Sequence, residues 1–214
     1  MDQKPQKRST QHWFRFAAHL LGLLPLALFS LDLLRGQLGF NPVETALQRS
    51  GRAAVVLLLL SLTITPLQKI FNLPKLIPLR KPLGLYAALY AGLHFITFAV
   101  WDYGLNLSLI WLEFNQKPFL ILGLGALLIL ALLAATSNRF TKAKLRAAWR
   151  WLQRLAYLAA VLAILHYLLA VKGDLLTLQG DYTLPLIAAG ILLILFSLRI
   201  PIIYKALQRW FQRE

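Results

Sequence analysis

The chain has 214 residues, 58% of them hydrophobic and 14% charged, with a mean hydropathy of +0.62. That much apolar sequence excludes an ordinary water-soluble globule, and the Leu-rich runs with charges between them place most of the chain in lipid. The formal charge of +15 would point to nucleic acid in a soluble protein. Here Lys and Arg stand in short loops beside apolar runs, where they set topology and meet anionic membrane lipid, so no nucleic-acid partner is expected.

The first apolar run, 14–34, follows a basic N-terminus (Lys4, Lys7, Arg8), as in a signal peptide. With no small-residue cleavage site, and with Pro25 and Asp32 following, it reads as an uncleaved first helix. Further windows follow at 53–71, 83–101, 118–137, 150–171 and 183–203. Each window holds about 20 residues, enough to cross about 30 Å of hydrocarbon at helical rise. Pro82 and Pro118 stand near first turns, where a missing amide proton costs little. The apolar fragment Trp111 to Phe114 is too short to cross and reads as interfacial. The expected fold is all-α: one domain over 1–214, an integral membrane bundle of six transmembrane helices.

Charge orients the bundle. Eighteen of the 23 Lys and Arg fall on one side of the alternating loops, including Lys69, Lys75, Arg80, Lys81, Arg139, Lys142, Arg150 and Arg154. Only Arg35, Arg49, Arg52, Lys117 and Lys172 fall on the other, together with Asp32, Glu44, Asp102, Glu113, Asp174 and Asp181. The positive-inside rule then puts both termini in the cytoplasm.

Of four histidines, His12 precedes the membrane. His94 and His166 close two copies of one pattern, A-A-x-x-A-x-L-H, over Ala87 to His94 and Ala159 to His166. Ala87 and Ala91 share the face of His94, and Ala159 and Ala163 that of His166. Small side chains there leave room for a flat porphyrin, although ordinary small-residue helix packing uses alanine in the same way. Depth separates the readings. His94 lies roughly 10 Å and His166 roughly 9 Å below the outer boundary, on helices that run in the same direction. Imidazoles at one level suit axial ligation of a haem iron; the alternative is two unrelated interior histidines, each bonded to a neighbour. The absence of cysteine excludes disulfides, thiolate-held clusters and covalent haem attachment, so any haem is held non-covalently. No intramembrane acid accompanies the pair, which weakens a zinc or di-metal reading. His19, near the inner boundary, faces either an inner cofactor such as a quinone or flavin, or a backbone carbonyl.

With these residues in view, the chain resembles the MsrQ (YedZ) family, the haem-binding membrane subunits of the bacterial methionine sulfoxide reductase system. That family lies within the ferric-reductase-like transmembrane superfamily, which also holds the membrane part of NADPH oxidases. The resemblance runs through HLLGLLPL, NPVE, SGRAA, SLTITPL, RKPLGLYAALYAGLHF and AAWRWLQRLAYLAAVLAILHYLLAVK, in that order. It implies haem b and, by association, FMN. The implied role is an electron-transfer subunit of the bacterial inner membrane, without a complete activity of its own. Electrons would pass from the quinone pool or a cytoplasmic flavin reductase to a periplasmic molybdenum-containing catalytic subunit, in a heterodimer. One departure is plain. Where the family has a further ligand histidine in a W-x-x-L-H pattern, this chain has Gln153, and the opposing position is Arg80. One haem is therefore expected rather than two, with His19, Arg80 and Gln153 as candidates for an inner quinone or flavin site. No G-x-G-x-x-G stands between strand and helix, so electrons are expected from outside the chain. Competing readings are a small transporter or channel, and a cofactor-free anchor for a partner protein.

Overall fold

The computed structural model describes residues 6–171 and 180–211, with side chains from Trp13 onward. Lys4, Lys172, Asp174 and Arg213, used above to orient the bundle, lie outside the described residues, as do the side chains of Lys7, Arg8 and His12. The described residues form helices and no strand.

Two long helices open the chain, α1 (Gln6–Leu34) and α2 (Pro42–Ile70). The second begins well before its apolar window because its start is written in polar residues. Asn41 caps it by accepting the Glu44 amide at 3.0 Å, Pro42 occupies the first turn, and the Glu44 carboxylate sits at the positive end of the helix dipole. Next comes α3 (Ile77–Ile96), which continues through a π-helical turn over Thr97–Asp102. A short α4 (Leu107–Gln116) lies at 111° to α5 (Phe119–Ala135). Its exposed Leu107 and Trp111 suit the membrane interface.

The last third is more broken than its apolar windows suggest. Two short helices, α6 (Arg139–Leu145) and α7 (Ala147–Leu152), precede α8 (Leu155–Ala170), with a turn at Gln153 and Arg154 inside the window 150–171. The window 183–203 also divides: α9 (Thr183–Ser197) ends before a bend of 86°, and α10 (Pro201–Phe211) starts beyond it. Pro201 has no amide proton to continue α9 and is well placed in a first turn. With Ile202 and Trp210 exposed and Lys205 and Arg209 beside them, α10 has the character of a surface-lying amphipathic helix.

Four helices are long and apolar enough to cross a bilayer, or up to six when each bent pair counts as one span. The protein is an all-helical, multi-pass membrane bundle. The centre belongs to α2, which buries Ala53, Ala54, Leu57, Leu58 and Leu62 against α3, α8 and α9. Lipid takes the remaining apolar surface, including Leu20, Leu128 and Leu193.

Backbone continuity in α1 depends on α3. At Pro25 the helical ladder of α1 loses a donor. One residue later the Tyr90 hydroxyl enters it, donating to the Gly22 carbonyl at 2.8 Å and accepting from the Leu26 amide at 3.0 Å. Those two groups pair with each other in an uninterrupted helix. Gly22 is required there, since a Cβ would overlap the Tyr86 ring. Tyr90→Phe keeps the ring and removes the bridge. It is expected to lower stability by about 1 kcal/mol without loss of helix, as read by thermal unfolding of the detergent-solubilised protein.

Candidate functional site

His94 stands in the last turn of α3 and His166 near the end of α8. Their ring centroids are 6.1 Å apart and their planes are nearly perpendicular, at 84°. Each ring is held at one nitrogen. His94 Nδ1 lies 2.8 Å from the Leu47 carbonyl, and His166 Nδ1 lies 2.8 Å from the Phe119 carbonyl. A carbonyl only accepts, so both Nδ1 atoms carry the proton and both Nε2 atoms keep a free lone pair. That is the arrangement of a metal-ligating histidine whose remaining N–H is anchored to the backbone.

Glycine makes the anchoring possible. A Cβ on Gly51 would stand 3.0 Å from His94 Nδ1, and one on Gly123 would stand 2.8 Å from His166 Nδ1. Each glycine lies one helical turn after the carbonyl that its histidine bonds. The two halves repeat: Leu47 and Phe119, Gly51 and Gly123, Ala54 and Ala126, Ala87 and Ala159, Ala91 and Ala163, His94 and His166 are all 72 positions apart. The alanine pattern around the histidines is visible in the sequence. Its partner, G-x-x-A at Gly51 and Gly123, was missed although the same spacing carries it. Ala87 and Ala159 are fully buried among the helices, whereas Ala91 and Ala163, one turn nearer the imidazoles, remain partly exposed.

The pair fits the axial demand of a haem iron. Metal–imidazole bonds of about 2 Å, with about 1 Å from each nitrogen to its ring centre, place two rings on one metal about 6 Å apart. A porphyrin fills the other coordination positions, so two protein ligands suffice. Among the described residues no group of three or more His, Cys, Asp or Glu is placed to hold a metal ion by itself.

The three inner candidates are not assembled together. His19 Nδ1 lies 3.0 Å from the Tyr86 hydroxyl, with its ring exposed at the surface of α1. Gln153 reaches only the Leu133 carbonyl, at 3.5 Å. Arg80 accepts from Ser61 Oγ through its backbone carbonyl at 2.8 Å, and its guanidinium is near enough to Arg199 to act on it electrostatically. No hydrogen bond joins His19, Arg80 and Gln153 to one another. Arg199 is a residue that sequence reasoning passed over as a loop charge. It donates to the Leu62 carbonyl at 3.0 Å and to the Tyr157 hydroxyl, stacks on the Tyr157 ring at 4.1 Å, and keeps a buried Nε without a partner.

Fold and site together define a multi-pass helical membrane protein with a paired-imidazole centre. The sequence matches the family described as ferric reductase like transmembrane component over residues 50–164. The match covers just over half of the chain, includes His94, Gly51 and Gly123 and stops two residues short of His166, and the chain belongs to that family. The family points to electron transfer within the membrane.

Alanine at either glycine is expected to push the facing imidazole off its carbonyl. Gly123→Ala, with the closer approach, should lower bound haem more than Gly51→Ala. Haem absorbance per protein after detergent purification reads the effect, with circular dichroism as the check on folding.

Proposed function

We propose that this protein is the haem-carrying electron-transfer subunit of a membrane reductase, holding one haem b between His94 and His166. The observation that carries this reading is the pair of rings 6.1 Å apart, each pinned through Nδ1 to a backbone carbonyl. Held by His94 and His166, haem would supply reversible one-electron exchange. The chain's own groups do the rest. The Leu47 and Phe119 carbonyls fix the tautomer and raise the basicity of each imidazole. Gly51 and Gly123 let the helices close behind the rings. With two protein ligands, no position is left for a substrate, which makes the centre a relay rather than a site of chemistry.

The finer reading follows the family resemblance of the motifs from HLLGLLPL to AAVLAILHYLLAVK. In it, the subunit lies in a bacterial inner membrane with both termini cytoplasmic. It draws electrons from the quinone pool or a cytoplasmic flavin reductase and passes them to a periplasmic molybdenum-containing partner that repairs methionine sulfoxide in oxidised proteins. The level of the histidines supports an outward delivery, and the excess of Lys and Arg on the opposite loops supports the orientation. The inner level, with Arg80 and Gln153 in place of imidazoles, is proposed to hold no haem; the guanidiniums of Arg80 and Arg199 suit an anionic cofactor such as FMN.

Purified protein is expected to show a Soret band and the split visible bands of six-coordinate low-spin haem. His94→Ala and His166→Ala should each remove most of that absorbance while leaving helical content intact. Wild-type spectra in both variants would rule out the ligand assignment.

A further inference from the structure

Glu113 is an acid in an unfavourable place. It stands in the last turn of α4, where the helix dipole disfavours a carboxylate. That short helix otherwise turns apolar groups outward, with Leu109, Trp111 and Leu112 exposed, yet the Glu113 side chain is only 19% exposed. A solvated surface pair with Lys117 would explain the spacing of four residues, but it would leave the carboxylate in water. Instead Glu113 holds one group from beyond each end of its helix. Lys117 Nζ lies 2.5 Å from Oε2, and the Tyr103 hydroxyl donates to the same carboxylate. Tyr103 closes the π-helical turn that ends α3, and Lys117 closes α4 immediately before Pro118 and Phe119.

Aromatic packing follows the same line. Phe98, one turn after His94, meets the Tyr103 ring at 4.7 Å and the Phe114 ring, edge to face, at 6.4 Å. At the other end Phe119 is bound twice to His166: its carbonyl accepts from Nδ1, and its ring centroid lies 5.6 Å from the imidazole. We infer that Glu113 is a positioning residue for the paired imidazoles, tying the end of α3, which carries His94, to the start of α5, which holds His166. The inference rests on the relay reading above and names a residue that shapes its centre. Rings 6.1 Å apart at 84° serve one iron only while their supports stay within about 0.5 Å of place. A carboxylate bonded at both ends of the connecting helix fixes the span of that connector. An apolar residue at 113 would pack the helix and leave its ends free to slide. Fixing geometry, rather than adding stability, is what a largely buried ion pair contributes here.

The chain has no cysteine, so Val100→Cys and Ile121→Cys, both at exposed positions, place one spin label on each side of the clamp. In the detergent-purified full chain, dipolar EPR is expected to give a narrow distribution of label distances. Glu113→Gln and Tyr103→Phe should each broaden it, with helical content unchanged by circular dichroism. In unlabelled protein both substitutions should shift the largest g-value of the oxidised low-spin haem, which follows the angle between the imidazole planes. They should also speed haem loss to apomyoglobin by about five-fold, as for one lost hydrogen bond. Asn115→Ala, exposed on the same helix, should do none of these. Unchanged distance widths and g-values in both variants, or equal shifts from Asn115→Ala, would overturn the inference. Haem content keeps the outcomes distinguishable. Absence of haem in wild type sinks the relay and leaves the label distances to decide the clamp, whereas normal haem with unmoved labels and g-values sinks the clamp alone.

Discussion

The bond from imidazole Nδ1–H to a helix carbonyl, made twice and 72 residues apart, is the constraint on which the centre of this bundle depends. It chooses the tautomer and satisfies a donor that the hydrocarbon around it would leave unpaired. It also dictates sequence on a neighbouring helix. Only glycine at 51 and 123 allows a ring to reach the carbonyl one turn earlier, and the approach at both is too close for a β-carbon to be added without movement. Helix spacing, ring orientation and imidazole basicity therefore follow from one contact type.

The same rule governs the other polar groups within the helices. Tyr90 bridges the Gly22 carbonyl and the Leu26 amide of α1 beside Pro25. Ser61 and Thr97 return their hydroxyl protons to backbone carbonyls at 2.8 Å and 2.9 Å. Arg199 spends its terminal nitrogens on Leu62 and Tyr157. Two groups stand apart. The Nε of Arg199 is buried and unpaired, and His19 is paired but turned outward. In a medium without water, these are the places where a group from outside the chain has most to gain.

Much of this was legible in the residues. Apolar windows located the membrane-crossing helices, because lipid contact demands long apolar runs regardless of packing detail. They failed at ends that lipid does not set. The first turns of α2 are polar and helical, announced by Asn41, Pro42 and Glu44 rather than by hydropathy, and the last window ran through the bend that Pro201 imposes. Counting helical rise puts His94 and His166 at one level, and in the folded chain their ring centroids stand 6.1 Å apart. Rotation about the helix axes, which decides whether residues at one level also face each other, is not contained in depth. For the same reason His19, Arg80 and Gln153, grouped by their inner level, have separate partners.

The repeat explains why the level of Arg80 and Gln153 differs from that of the histidines. A shift of 72 carries Arg80 onto Leu152, not onto Gln153, so these two positions are out of register with the pairing that the histidines obey. The backbone departs at the same point. α3 is continuous through Arg80, whereas the corresponding stretch of the second half turns at Gln153 and Arg154 between α7 and α8. A pair of facing imidazoles needs two rigid helices at matched register. Without imidazoles at this level nothing requires that match, and the chain is free to break the helix and bring in the charges of Arg80 and Arg199. The histidine end of the bundle retains the symmetry because the paired rings hold it there; the opposite end has exchanged it for a cationic, irregular one.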